Sequence, residues 1–436
     1  MKHIGLLCPP TLGHLSSMGN LGCILQQRGH QVTLFGLPDV EKKIAVSQLG
    51  FSKIEFYKIG AQDFPRGSLD DLVTQLSKLS GLQAVKFTIS WTQKATEMMF
   101  QEAPNAISEA GVDFLLVDQV TVAGGTVADY LGLPFVTVCS ALPLNQEPRI
   151  PPFFTSWEYR NDWSAKLRNQ FGYALINHLT SPIWQTIAHQ RRQWKLPPYK
   201  RWEDANSPLI QLCQLPQRLD FPREKISERF HYVGTFRDVS LQPTVPNLDK
   251  TFPFESLNSK PLIYVSLGTL QNRLFNIFYI ISKACQHLDA QLVISLGGGA
   301  EPSELPALLG SPLVFRFAPQ VELLKRATLT ITHAGQNTVI ESLTYGVPMV
   351  AIPITNDQPG IAARIAHVGV GEVVTLARLN VSNLKAAIDK VFYNKKYCIN
   401  AVEFSSAIRA AGGGKNAADT IERLLHFADS RMKCIN

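Results

Sequence analysis

The chain has 436 residues, of which 45% are hydrophobic and 18% charged, and a net charge of +7. That length exceeds one typical core and fits two domains, and the composition is that of an ordinary soluble globular protein. No apolar run approaches the roughly 18 residues of a membrane span. The charge is concentrated. Residues 149–202 hold nine Lys or Arg against Glu158 and Asp162, together with five of the six Trp. A nucleic-acid binder would spread its basic residues over a dedicated face, so no nucleic acid is expected. Seven scattered cysteines without a Cys-x-x-Cys spacing read as reduced thiols of a cytoplasmic protein. The N-terminus, apolar only from Ile4 to about Leu12, reads as a strand and not as a signal peptide.

Residues 3–8 form an apolar strand that leads into Pro-Pro-Thr-Leu-Gly-His-Leu. A helix is expected from about Ser16 to Arg28, then a strand over Gln31–Gly36 and a short one near Lys53–Tyr57. Residues 68–110 read as helical, with a loop around Gly81 and a break at Pro104. Phe114–Val117 is a buried strand ending at Asp118, followed by a helix over Thr121–Leu131 and a fifth strand at Phe135–Val138. This βαβ alternation predicts a parallel, doubly wound sheet. In the order 3-2-1-4-5 the first and fourth strands are neighbours at the switch point. His14 after the first and Asp118 at the end of the fourth would therefore meet.

Residues 141–202 break the alternation with Pro, aromatic and basic residues and two helices near 162–179 and 182–195. Strands resume around Leu209–Cys213 and His231–Val233. Residues 237–258 read as an interdomain linker. A second βα series follows, with strands at Leu262–Leu267, Gln291–Leu296, Leu313–Phe317, Thr328–Thr332 and Met349–Ile352. Gly297–Gly299 follows the second of these, and helices are expected near 358–367, 381–393 and 397–411. Gly412–Gly414 separates the last helix. The units are 1–236, a linker at 237–258, a second unit at 259–411 and a C-terminal helix at 412–436.

The stretch from Phe317 to Gln358 organises the second unit. Thr328–Thr332 reads as a buried strand, Gly335 as a turn and Gln336–Tyr345 as a helix closed by Gly346 and Pro348. A strand, a Gly turn and a helix N-terminus make an anion site. Asn337 and Thr338 add donors in the first turn. Glu341 lies on the same face, where a carboxylate suits the vicinal hydroxyls of a ribose. In the loop beyond, Asp357 and Gln358 can grip two adjacent sugar hydroxyls.

This box, Phe-Ala-Pro-Gln, Thr-His-Ala-Gly-Gln-Asn-Thr, Gly-Val-Pro and Asn-Asp-Gln, resembles the signature of family 1 glycosyltransferases, the UDP-glycosyltransferases. It is closest in style to bacterial macrolide and carotenoid enzymes. Phe317, Ala334 and Gln336 depart from the plant pattern of Trp, Cys and Trp. The resemblance implies the GT-B architecture, two Rossmann-like parallel-sheet α/β domains facing a central cleft, with the C-terminal helix packed back on the first. It implies His14 as general base and Asp118 as its partner. It implies nucleotide contacts from Ser266, Thr269, Phe317, Ala318, Gln320, His333, Gly335, Asn337, Thr338 and Glu341, and donor-sugar contacts from Asp357 and Gln358, whose Gln goes with glucose. No Asp-x-Asp occurs, so neither a bridging metal nor a cofactor beyond the UDP-sugar donor is expected.

The expected reaction is inverting transfer of glucose from UDP-glucose to a hydroxyl of a lipophilic acceptor: a carotenoid, polyphenol, macrolide or sterol. The aromatic-basic segment 149–202 is expected to wall the acceptor side and to touch a membrane surface peripherally. A nucleotide-sugar 2-epimerase of the same shape is the alternative enzyme. A catalytically silent accessory protein is the non-enzyme alternative, and the presence of His14 argues against it. Gly13-His14 is not a dinucleotide fingerprint, which disfavours a nicotinamide dehydrogenase.

Overall fold

The computed structural model describes residues 1–41, 54–76, 78–79, 81–237, 252–270 and 273–433. Among them two parallel sheets form. The first runs β1 (His3–Leu7), β2 (Gln31–Gly36), β3 (Glu55–Lys58), β4 (Phe114–Asp118), β5 (Phe135–Cys139), β6 (Gln211–Cys213) and β7 (Phe230–Tyr232), in the spatial order 3-2-1-4-5-6-7. Its intervening helices are α1 (Leu12–Gln27), α2 (Ser68–Leu76), α3 (Gly81–Glu109), α4 (Gly124–Leu131), α5 (Trp163–Leu179) and α6 (Ser181–Gln193). β1, β4 and β5 are buried along their whole length, as strands covered by helices on both faces must be. β1 pairs with both β2 and β4, which makes the gap between β1 and β4 the switch point.

The second sheet holds β8 (Leu262–Ser266), β9 (Gln291–Ser295), β10 (Leu313–Phe315), β11 (Ala327–Thr332), β12 (Met349–Ala351) and β13 (Gly371–Val373), in the order 10-9-8-11-12-13. Its helices are α7 (Phe275–Cys285), α8 (Gln320–Leu324), α9 (Gln336–Thr344), α10 (Gln358–His367), α11 (Val381–Tyr393) and α12 (Lys395–Ala410). The last helix, α13 (Gly413–Lys433), crosses to the first unit. There Ala417, Ala418, Ile421 and Leu425 join the core built around β1 and α1, and Arg28, directly after α1, bonds Asp419 and Glu422, both at 2.6 Å.

Two expectations change. The helix expected from Ser16 begins at Leu12, with one residue between it and the two prolines, because burial of Leu15 and Met18 pulls that turn onto the core. His14 therefore sits in the first helical turn and not in a loop. α3 runs unbroken through Pro104. Proline inside a helix costs about 3 kcal/mol, but Met98, Ala103, Ala106 and Ile107 anchor the helix in the core on both sides of it. Of the expected linker, residues 238–251 lie outside the described residues.

The two units touch along a seam at the carboxyl ends of their central strands. One apolar cluster crosses it, from Cys139, Leu142 and Cys213 to Ala334, Val339 and Ile361. Arg364 of α10, 1% exposed, reaches back to Asp220 with Nε at 2.8 Å and Nη2 at 2.7 Å. Asp220 also takes Arg223 Nε at 2.7 Å and the Tyr232 hydroxyl at 2.6 Å, so no charge in this cluster is buried alone.

Candidate active site

The strand order does what counting strands required. His14 Nδ1 lies 2.8 Å from Asp118 Oδ2, across the switch point. The carboxylate is fully buried, and its other oxygen accepts the Val120 N–H at 3.0 Å, which closes the turn after β4. The imidazole is 22% exposed, so one edge faces the cleft. Ser140, directly after β5, donates its hydroxyl to the same Asp118 oxygen and lies 2.8 Å from His14 Nδ1. With Asp118 as acceptor, Nδ1 carries the proton and the second ring nitrogen is the basic one. Burial works to lower the His14 pKa. The charge and hydrogen bond of Asp118, aided by the charge of Asp357, outweigh it and hold the imidazole above its ordinary value of 6.5.

Across the seam stands the N-terminus of α9. No side chain caps it, so its first N–H groups and the helix dipole remain for an anion. The turn that feeds it is strained: Ala334, fully buried, takes φ +64°, and its N–H donates to Thr332 Oγ1 at 3.2 Å. Gly335 has an ordinary φ of −65°, so turn geometry does not demand a glycine. The His333 ring does: a Cβ on Gly335 would come within 2.4 Å of its Nε2, and so would a Cβ on Gly268. The imidazole thus packs closely on both backbones. Burial pulls its pKa down to about 4, against a bond to the Ser266 backbone. His333 is therefore neutral near pH 7 and brings no positive charge to the site. Ser266 is itself buried, with its Oγ 3.4 Å from the Gly268 N–H. Thr269 continues that turn after β8.

Thr338, also buried, lies in the first turn of α9. Asn337 faces the first unit. Its Nδ2 donates to the Gly13 carbonyl at 3.1 Å, and its Oδ1 accepts from Gln214 Nε2 at 3.1 Å and from Ser17 Oγ at 3.4 Å. The side chain expected to meet phosphate also ties α9 to the residue before His14. One turn on, Glu341 accepts from Gln320 Nε2 at 2.7 Å, and Tyr264 donates to Gln320 Oε1 at 3.1 Å. Arg237 completes the group with an ion pair to Glu341. Glu341, expected at a ribose, and Gln320, expected at the nucleotide, are thus brought together. Phe317 is half-buried, its ring packed so closely on Gly298 that a Cβ there would meet it at 2.2 Å. Ala318 beside it is buried.

Asp357 directly precedes α10 and follows Asn356, which also takes a left-handed φ of +56°. Its Oδ2 accepts the Leu142 N–H at 3.2 Å, and its charge reaches His14. Burial raises the Asp357 pKa, against the pull of the Leu142 N–H and of His14. Gln358 turns its Oε1 to the backbone N–H groups of Ile354 and Thr355, at 2.8 and 3.0 Å, and so shapes the loop that presents Asp357. Base, helix terminus and carboxylate converge on one spot at the seam. That arrangement can deprotonate a hydroxyl beside a bound anion.

Ser140, Gln214 and Arg237 escaped the sequence reading. Ser140 and Gln214 follow β5 and β6 directly. The rule that picked Asp118, residues at carboxyl ends of neighbouring strands, reaches both of them. Arg237 is the first residue of the expected linker and carries no local signal.

The family model described as UDP-glucuronosyl and UDP-glucosyl transferase matches residues 5–410. A zeaxanthin glucosyltransferase of Pantoea ananas is 33% identical over 98% of this chain and 96% of its own. One from Pseudescherichia vulneris is 30% identical over 99% and 100%. Among solved structures, the calicheamicin glycosyltransferase CalG4 superimposes with a TM-score of 0.72 at 20% identity, over 98% of this chain and 99% of its own, which shows the shared GT-B fold. The chain is a glycosyltransferase and belongs to the UDP-glucuronosyl and UDP-glucosyl transferase family.

Proposed function

We propose that the protein transfers glucose from UDP-glucose to a hydroxyl of a lipophilic acceptor, in the class of carotenoids, polyphenols, macrolides and sterols, with inversion at the anomeric carbon. The observation that carries this reading is the His14–Asp118 pair set against the N-terminus of α9 and beside Asp357. The free nitrogen of His14 takes the acceptor proton as the acceptor oxygen bonds to the anomeric carbon. The bond from that carbon to the diphosphate breaks, and its electrons leave with UDP. Asp118 holds the tautomer and stabilises the imidazolium.

The N–H groups of α9, with Gly335, Thr338, His333, Ser266 and Thr269, receive the diphosphate. Gln320 and Glu341 receive the ribose, with Arg237 yielding its place on Glu341. Phe317 and the Ala318 backbone receive the base, and Asp357 with Gln358 the glucose. The relatives named zeaxanthin glucosyltransferases support both the glucose and the lipophilic alcohol.

Incubation with UDP-glucose and a panel of lipophilic alcohols, followed by mass spectrometry, tests the reading. The expected product gains one anhydroglucose unit while UDP is released. Transfer to no member of the panel overturns the acceptor class. An epimerised nucleotide sugar formed without acceptor overturns the reaction.

A further inference from the structure

Helix α5 is apolar on two opposite faces. Ala165, Tyr173 and Ile176 are buried against the rest of the protein. On the other side Trp163, Leu167, Phe171 and Leu175 are 78%, 60%, 70% and 44% exposed. A step of four residues advances about 40° around a helix, so these four side chains form one slanting ridge. Single exposed apolar residues are ordinary, but a row of four bulky ones marks a contact surface.

The charge carried by α5 and α6 has one sign; the exposed Glu158, upstream of α5, lies near Arg168. From Trp163 to Trp202, which covers α5 and α6, the chain has no Asp or Glu. Lys166 and Arg168 lie on α5 itself, and Arg192, Lys195, Lys200 and Arg201 are exposed beyond it. The acid just before the ridge, Asp162, is engaged as the helix cap, accepting the Ala165 N–H at 2.9 Å, and as the partner of Arg160, also at 2.9 Å. A second copy of the chain docking through the same patch would set these cations against their own kind. An anionic lipid surface complements both features: acyl chains receive the ridge, and headgroup phosphates the lysines and arginines.

We propose that α5 docks in the interfacial layer of an anionic phospholipid bilayer. The docking stands apart from the acceptor class proposed above. Its position bears on acceptor entry, because the inner face of the helix lines a small cavity through Tyr173. That cavity is walled on the far side by Phe153 and by Arg364 of α10, the helix that begins next to Asp357.

Flotation of the full chain with vesicles decides it. Wild type is expected to float with phosphatidylglycerol–phosphatidylethanolamine vesicles, less with pure phosphatidylcholine, and less again in high salt. The double variant Leu167→Glu/Phe171→Glu is expected to lower the bound fraction about tenfold. Its Tm and its stabilisation by UDP should match wild type. Failure of UDP to stabilise either protein counts against the donor reading and leaves the vesicle result standing. Wild type that ignores anionic vesicles, or a double variant that floats as well as wild type, overturns the proposal. A wild-type dimer in sedimentation velocity that the double variant dissolves assigns the ridge to a second copy and overturns it as well.

Discussion

Asp118 Oδ2 receives the Nδ1–H of His14 at 2.8 Å and the Ser140 hydroxyl on the same oxygen. The pair sets the pH dependence of turnover. A general base works only when neutral, and the His14 pKa is held above 6.5. kcat/KM should therefore fall as pH drops through a value above 6.5, and stay level above it. Asp118→Asn removes the charge and should move that limb to lower pH while cutting kcat by about 10²–10⁴-fold. A pH–rate profile with an unmoved limb would mean that another group titrates.

Gly335→Ala isolates a purely steric effect, since φ of −65° suits alanine. Its methyl would strike His333 Nε2. Overpacking of this kind costs about 1–3 kcal/mol, and displacement of the ring should weaken stabilisation by UDP. Gly268→Ala meets the same ring at φ +77°, so urea unfolding should rank it as the more damaging of the two.

His333 also couples stability to acid. The folded pKa of about 4 lies below the ordinary 6.5. Between those values the unfolded chain binds a proton that the folded chain refuses. The contribution is complete above about pH 6.5 and is lost as pH falls toward about 4. Wild type should therefore lose more stability than His333→Asn between pH 7 and pH 4, as read by thermal unfolding at matched ionic strength.

Arg364→Met should be costly although Arg364 makes no hydrogen bond to His14 or Asp118. The change strips Asp220 of a hydrogen bond and a second close ion contact inside a buried seam. Removing one partner of a buried pair costs about 3–5 kcal/mol. Arg364→Lys should recover only part of that, because one ammonium cannot replace the two-pronged contact. Chemical denaturation of the two variants checks both statements.

The parallel sheets were legible because strands buried on both faces read as apolar runs, and the meeting of His14 and Asp118 followed from strand order alone. The box was legible because its turn, helix start and loop keep their spacing. What long-range packing decides was not. The start of α1 and the continuity of α3 through Pro104 depend on burial in the core around β1. Asn337 lies in the first turn of α9, as read from sequence, but only the opposing surface of Gly13, Ser17 and Gln214 determines that its amide spans the seam. The aromatic-basic character of 149–202 was visible too. Which of its rings face inward and which stand free on α5 depends on what the rest of the chain covers.

The placement of α13 has a consequence for how the protein is made. Ala417, Ala418, Ile421 and Leu425 complete a core whose other members begin at Ile4. A ribosome delivers the chain from the N-terminus, and domains generally fold as they emerge. Here part of the α1 surface stays bare until the whole second unit has been synthesised, and the base His14 sits on that same helix.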